Sequence, residues 1–286
     1  GETIGLSLLE TAWGIHEVVN EQMAGAARMQ AIEQGKDPRE YPIFAFGGAG
    51  PGHAYRVAEI LRSPELVVPL GAGVTSTVGF LAAPLAFDFV RSYVGRLEDL
   101  DWTHVNARFR EMEAEGRSIL TAAGAVDADI SVRRTVELRY VGQGHQVAVD
   151  APDGPLGDTS VGHLTSRFES EYRRLYGRIA EGNPVEAINW RVVTATSAPH
   201  LPLTDLAKGA VSGAVSDAVK GHRPIYLPEH RALVDAPVYD RYRLAVGAAF
   251  DGPAVIEERE STFIVGPGVR ISVDDMLNLV VKMPLR

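Results

Sequence analysis

Apolar residues spaced three and four positions apart predict three amphipathic helices. The first runs from about residue 5 to Gln34 and stops at Gly35, with Pro38 just beyond. A second helix begins near Trp102 and ends at Gly124, and a third lies around Phe168. The apolar positions of the first helix are Leu8, Ala12, Ile15, Val19, Met23 and Ala26.

A strand, a helix and a second strand follow one another between residues 41 and 70. "YPIFAFG" has the composition of a short buried strand, "GHAYRVAEILR" has helical spacing, and "ELVVPL" resembles a second buried strand. Consecutive strands joined by a helix pair in parallel. The pattern therefore predicts a β-α-β unit and a parallel sheet.

Strands dominate the rest of the chain. Residues 130–140 alternate apolar and polar, and the glycines at 142 and 144 indicate a hairpin. Residues 185–198 form another long strand in this interpretation, and residues 201–222, which are rich in Ala, Gly and Ser, are predicted to be a linker. Short strands follow around Ile225, Val238, Val255, Phe263, Ile271 and Val280.

Composition and charge narrow the class of protein. The 286 residues are 45% hydrophobic with a net charge of −9, which argues against nucleic acid or an anionic membrane as partner. No cysteine is present, so disulfides and thiolate chemistry are excluded. The sequence also contains no apolar run of about 18 residues and no secretion signal. We therefore expect a cytoplasmic globular protein, and the abrupt start of a helical pattern suggests that a further segment precedes it.

The stretch "FAFGGAGPGHA", residues 44–54, is the strongest candidate for a ligand site. Glycines between a strand and a helix leave main-chain N–H groups uncovered, and the helix adds the positive end of its dipole. Such a turn can hold a phosphate or lie against a nucleoside. The residues match neither the Walker A pattern nor G-x-G-x-x-G. A tight β-α turn without a ligand remains the alternative.

Five segments, in this order, resemble the C-terminal portion of the hydantoinase A/5-oxoprolinase family. That family includes ATP-dependent N-methylhydantoinase, 5-oxoprolinase, and subunits of acetone and acetophenone carboxylases. The resemblance covers nearly the whole chain. The segments are "VVNEQMAGAAR" (18–28), "FAFGGAGPGHA" (44–54), "ELRYVGQGHQVAV" (137–149), "RRLYGR" (173–178) and "GPAVIEERESTFIVGPG" (252–268).

The resemblance implies an α/β plus α+β fold. It implies the C-terminal part of an ATPase domain similar to that of actin, hexokinase and Hsp70, followed by a β-rich C-terminal domain. The expected boundaries are 1–97 for the partial ATPase subdomain, 98–200 for an α+β region, 201–222 for the linker and 223–286 for the β-rich region. By the same resemblance the nucleotide-contacting residues are Gly47, Gly48, Ala49, Gly50, Pro51, His53 and Asn20.

The function implied is ATP-dependent phosphorylation of a carbonyl oxygen in a cyclic amide or ketone. The expected partners are an N-terminal half of the same enzyme and a hydantoinase B-type subunit, in an oligomer. Mg²⁺ is expected to be held mainly by regions outside this chain, and no residue here is assigned a catalytic role or a metal. Since the expected phosphate loops are missing, the isolated chain is predicted to be inactive. The alternative is a non-catalytic scaffold subunit that keeps the ATPase-like shape.

Other polar residues have simpler explanations, or two explanations each. Tyr140, Gln143 and His145 flank a turn that faces a substrate or partner subunit, or else is an ordinary hairpin. Glu257, Glu258 and Glu260 are interpreted as a solvated strand end. The histidines lack the spacing of a zinc site, so no metal site is predicted.

Overall fold

The predicted β-α-β unit is present in the computed structural model, which describes residues 1–180, 182–200 and 213–284. Strand β1 (Ile43–Phe44), helix α2 (Gly50–Leu61) and strand β2 (Glu65–Val68) follow helix α1 (Leu8–Glu33). β1 and β2 are parallel, with Ile43 opposite Leu66. β1 is shorter than predicted, because the chain enters the glycine turn directly after Ala45, whose N–H still bonds Val67 O at 2.8 Å.

Helix α1 begins at Leu8 because Ser7 caps it. The Ser7 side chain accepts the N–H of Glu10, and the Glu10 carboxylate accepts the N–H of Ser7 at 2.9 Å. Such a cap is worth about 1 kcal/mol. The predicted apolar face is not the buried one, since the buried residues of α1 are Asn20 and Ala24. Ala24 packs with Val57 and Leu61 of α2, while Leu8 and Ile15 stay exposed.

The chain forms two compact units, and the first is discontinuous in sequence. It combines residues 1–81 with the described residues from 213 onward. Strand β13 (Leu279–Lys282) pairs antiparallel with β2, and β12 (Arg270–Val273) and β9 (Ala249–Asp251) extend the sheet in the order β1-β2-β13-β12-β9. The sheet is therefore mixed, not parallel. The region 223–286 is not a separate domain, because its strands complete the sheet begun by the β-α-β unit.

A second sheet in the same unit uses the remaining C-terminal strands. Its order is β11-β10-β8-β7, with β10 and β8 parallel. A 3-10 helix, Val215–Ala218, precedes β7, so the predicted linker is wrong over its last residues, and residues 201–212 lie outside the described part. Ala218, the last residue of this 3-10 helix, is fully buried, which explains why the segment has regular structure. The strands are β7 (Val219–Leu227), β8 (Ala232–Asp240), β10 (Ala254–Glu257) and β11 (Thr262–Val265).

The second unit spans residues 82–200 and contains one antiparallel sheet of order β3-β6-β4-β5. The predicted alternation is confirmed, since Val136, Leu138 and Tyr140 are buried. β3 pairs with β6, so this unit starts well before the predicted boundary at residue 98. Its elements are β3 (Ala86–Arg96), α4 (Trp102–Ala122), β4 (Ser131–Tyr140), β5 (Val147–Asp150), α5 (Asp158–Tyr176) and β6 (Val185–Ala195).

The core of the second unit lies between its helices and its sheet. Phe109 of α4 meets Trp190 edge-on at 5.7 Å, and Phe168 of α5 meets Tyr140 edge-on at 4.9 Å. The helix α3 (Thr75–Ala82) belongs to the first unit except for its last residue, Ala82, where the second unit begins. In the described part of the chain, no helix combines the length and apolarity that crossing a bilayer requires.

Candidate functional site

The glycine turn between β1 and α2 depends on a left-handed residue. Gly47 has φ +92°, a conformation that costs a residue with a side chain about 1 kcal/mol or more. Its N–H donates to Ala72 O at 2.8 Å, which ties this turn to the one that follows β2. Gly47 therefore shapes the turn through its backbone conformation.

Gly48 and Gly50 differ from Gly47, because no backbone conformation requires glycine at these positions. A Cβ on Gly48 would lie 3.9 Å from the nearest atom, Glu260 O, and one on Gly50 would meet nothing within 4 Å. Neither has a positive φ. Packing does not require glycine at these two positions, and their main chain is left bare.

A cavity of about 550 Å³ lies beside this turn. Gly48, Ala49, Gly52 and His53 line it from the turn, and residues 258–262 line it from the loop between β10 and β11. We call it the glycine-turn cavity. Pro51 is buried near the start of α2, where its fixed φ favours the helix. A volume of this size is in the ordinary range for small-ligand sites.

Asn20 and His53, which are far apart in sequence, meet at the edge of this cavity. Asn20 is 1% exposed, and the Nδ1–H of His53 donates to its Oδ1 at 2.7 Å. The Asn20 Nδ2 donates to Nδ1 of His16 at 2.9 Å. The two imidazole rings stack with centroids 4.6 Å apart and an interplanar angle of 14°. His16 also lines the cavity.

Partial burial is the main cause that lowers the pKa of His16 below its usual 6.5, followed by the nearby charge of His53 and, more weakly, that of Arg56. A hydrogen bond with the Gly52 main chain opposes this shift. His16 is therefore neutral at physiological pH, which suits the acceptor role of its Nδ1 toward Asn20.

Glu258 stabilises the glycine turn indirectly, through the turn that follows β2. Its carboxylate accepts the N–H of Gly71 at 3.2 Å and that of Ala72 at 3.0 Å, and Ala72 O accepts the N–H of Gly47. The Glu258 side chain is 4% exposed, so its interpretation as part of a solvated strand end is wrong. The strand β10 ends at Glu257, and the chain then turns inward.

Arg241 balances the buried charge of Glu258. Its Nε lies 3.4 Å from Glu258 Oε1, its side chain is 1% exposed, and Nη2 donates to Leu277 O. Burial lowers the pKa of Arg241 to about 10, while Glu258 and Asp274 act in the opposite direction. Its Nη1 has no hydrogen-bond partner among the described residues.

The other predicted candidates belong to the second unit. Tyr140 is buried, and its hydroxyl accepts the N–H of Ala180 at 3.1 Å. Gln143 donates to the Tyr172 hydroxyl at 3.0 Å. These contacts fit the hairpin interpretation. Within the described residues no group of three or more His, Asp or Glu side chains is arranged to hold a metal ion.

Both the N-terminal and the C-terminal part of the chain match known protein families. Residues 1–89 match the hydantoinase/oxoprolinase family, and residues 98–282 match the hydantoinase/oxoprolinase C-terminal domain. The chain belongs to the hydantoinase/oxoprolinase family. The resemblance found in the sequence is thereby confirmed, as is a mixed α/β architecture with several sheets.

Relatives in this family include both hydrolases and carboxylases. The caprolactamase subunit alpha of Pseudomonas jessenii is 30% identical over 276 residues, covering 96% of this chain and 39% of that protein. The acetophenone carboxylase gamma subunit of Aromatoleum aromaticum is 25% identical over 287 residues, covering 96% of this chain and 38% of that protein.

A solved structure shows the same fold. The crystal structure of the ATP-dependent caprolactamase from Pseudomonas jessenii superimposes with a TM-score of 0.70 at 28% identity, covering 99% of this chain and 41% of that one. The chain thus spans about two fifths of the length of these relatives. It is homologous to subunits of ATP-dependent hydrolases and carboxylases.

Proposed function

We propose that this chain forms the nucleoside-contacting part of an ATP-dependent enzyme subunit with an actin-like ATPase core. The complete enzyme phosphorylates a carbonyl oxygen of a cyclic amide or a ketone. A partner subunit then hydrolyses the activated amide, or carboxylates the ketone at the carbon next to the phosphorylated one, which becomes the nucleophile when it loses a proton. The family membership and the ATP dependence named for the Pseudomonas jessenii caprolactamase support this proposal.

The chemistry explains why ATP is needed. The nitrogen of an amide donates electron density into the carbonyl group, so the carbonyl carbon is a weak electrophile and direct attack of water on it is slow. When the carbonyl oxygen attacks the γ-phosphorus of ATP, the bond from phosphorus to the β,γ-bridging oxygen breaks and ADP leaves. In an amide, the carbon then carries a phosphate ester, which makes it electrophilic and gives it a good leaving group.

The bare main chain at Gly48 and Gly50 is the observation that carries the proposal. Neither position needs glycine for packing or for φ; Gly48 lines the glycine-turn cavity, and Gly50 follows two residues later as the first residue of α2. A flat nucleoside approaches such a surface more closely than it approaches one covered by side chains. In this proposal Gly48, Ala49 and Gly50 contact the nucleoside, while Gly47 and Pro51 hold the turn.

The phosphates and Mg²⁺ belong to other parts of the enzyme. Within the described residues there is no carboxylate cluster suited to Mg²⁺, so we assign it no ligand in this chain.

Apolar side chains of α1 stay exposed, including Ile15 at 65% and Met29 at 65%. Such a surface on a helix favours cover by a further segment or subunit.

The test is a titration with ATP by isothermal calorimetry, first on this chain and then on a family-length subunit that carries it. We expect binding in the second case, and at least tenfold weaker binding in Gly48→Leu, because the leucine side chain fills the space for the nucleoside. Gly25→Leu is the control, since a side chain at Gly25 on α1 also meets open space. Unchanged affinity in Gly48→Leu contradicts the assigned contact, and no binding in either case supports a scaffold subunit instead.

A further inference from the structure

Asn20 uses both ends of its side-chain amide to join two histidines. It is 1% exposed and lies between His16, four residues earlier on α1, and His53 on α2. A buried amide that loses a partner costs about 1–3 kcal/mol, so the orientation of this group is strongly determined. His16 was not among the residues predicted from the sequence for this site.

The direction of these hydrogen bonds determines where the His53 proton lies. The Oδ1 of Asn20 accepts only, so the Nδ1 of His53 must carry a hydrogen at the 2.7 Å contact. In the neutral form of the ring, which has one N–H, the His53 Nε2 is then an acceptor. No hydrogen bond from another described residue reaches that nitrogen, and His53 lines the glycine-turn cavity.

His16 fixes the orientation of the amide. Its bare Nδ1 accepts from Asn20 Nδ2 at 2.9 Å, so a rotated amide would place oxygen against a lone pair. Burial and the neighbouring His53 lower the pKa of His16 and keep this nitrogen unprotonated. The stacked rings, 4.6 Å apart, restrict the rotation of both histidines.

We propose that His16 and Asn20 are positioning residues that hold the His53 proton on Nδ1, so that Nε2 accepts a hydrogen bond from the bound nucleoside. The donor is either the adenine amino group or a ribose hydroxyl. This inference rests on the proposed nucleotide role of the glycine-turn cavity. It adds a named atom, His53 Nε2, and two residues that act through it.

The first measurement is the tautomer of His53 by imidazole nitrogen–proton correlation NMR on the 286-residue chain. We expect the Nδ1–H form in the wild type. Asn20→Leu and His16→Phe should shift His53 toward the Nε2–H form, because the first removes the acceptor and the second frees the amide to rotate. Asn20→Asp keeps an acceptor and should retain the Nδ1–H form. His163→Phe, at an exposed position on α5, is the control.

The second measurement is ATP affinity in the family-length subunit. We expect Asn20→Leu and His16→Phe to bind ATP about fivefold more weakly, the effect of one neutral hydrogen bond, while His163→Phe binds like wild type. Repeating the titrations with inosine triphosphate and with 2′-deoxyATP identifies the donor, because the variants lose no further affinity for the analogue that lacks it.

The outcomes separate the two ideas. A wild-type His53 in the Nε2–H form, or a tautomer unchanged in Asn20→Leu, overturns the positioning role. Altered tautomers with unaltered ATP affinity overturn the contact to the nucleoside. If wild type binds no ATP, the proposed function fails together with that contact, while the spectra still decide the tautomer.

Discussion

At the scale of single residues, the first unit keeps two kinds of buried polar group. The pair His16 and His53 is joined through Asn20, and partial burial disfavours the charged form of His16. The pair Arg241 and Glu258 is charged, and each member is compensated by the other and by main-chain groups. These two pairs respond differently to pH and to substitution.

The depressed pKa of His16 predicts lower stability at acidic pH. In the unfolded chain His16 takes up a proton as pH falls below about 6.5, while the folded chain resists protonation until a lower pH. The contribution of His16 to the stability of the fold is therefore fully present above about pH 6.5 and decreases as the pH falls below it. In urea unfolding at about pH 7.5 and about pH 5.5, His16→Phe should lose less stability between the two than wild type. His163→Phe should keep the wild-type loss, and an equal loss in both variants would contradict the assignment.

Removing one charge of the Arg241 and Glu258 pair should be costly. Glu258→Gln leaves a buried guanidinium without its counter-charge, and such a change costs about 3–5 kcal/mol. Denaturant unfolding of Glu258→Gln, Arg241→Met and the double variant measures this effect. We expect the double variant to be more stable than the sum of the single losses predicts. Strict additivity would show that the two side chains do not depend on each other.

Only part of this site could be predicted from the sequence. Asn20 and His53 stood in segments that resemble the family, and the structure brings them together. His16 was missed, although its spacing of four from Asn20 places both on one side of a helix. Glu258 was misread, because adjacent acidic residues usually indicate solvent exposure and only the three-dimensional path of the loop shows that this one turns inward.

At the scale of elements, close contact between α4 and β6 depends on one glycine. A Cβ on Gly116 would lie 2.3 Å from the Thr194 Oγ1 and 2.6 Å from its Cγ2, far inside van der Waals contact. Thr194 is fully buried. Helix propensity favours alanine at position 116, whereas packing against β6 favours glycine.

Packing should prevail over propensity at Gly116. Gly116→Ala is expected to destabilise the chain by about 1–3 kcal/mol, because the methyl group forces α4 away from the sheet. Gly162→Ala is the matched control on α5, where a Cβ meets open space and the gain in helix propensity is about 1 kcal/mol. Thermal unfolding of both variants checks the opposite signs. A stabilised Gly116→Ala would show that the helix moves at little cost.

Periodicity predicted most elements of this chain, but their partners were harder to predict. The helix around Phe109 and the alternating strand ending at Tyr140 were placed correctly. The apolar face of α1 was not, since Leu8 and Ile15 are exposed. Spacing identifies an apolar face, whereas burial requires a neighbour, and α2 contacts α1 on a different face, the one that carries His16, Asn20 and Ala24.

At the scale of the whole molecule, the two units differ in sequence continuity, since the first is built from two segments and the second from one. The first unit needs both ends of the described chain, because Val68 of β2 pairs with Leu279 of β13. Its core is built largely from C-terminal side chains such as Phe250, Ile271 and Leu279. The second unit is one continuous segment with its own core around Phe109, Phe168 and Trp190.

This difference predicts which fragment folds alone. Residues 82–200 should fold cooperatively when expressed as a separate chain, because every strand of their sheet and both packing helices lie within the segment. Residues 1–81 should remain unfolded, since they supply two short strands and lack the partners β12 and β13. Near-ultraviolet circular dichroism during heating distinguishes the cases through the packed tryptophans, Trp102 and Trp190, of the longer fragment. Absence of a cooperative transition in residues 82–200 would mean that the second unit depends on the first for its stability, even though its core is complete in sequence.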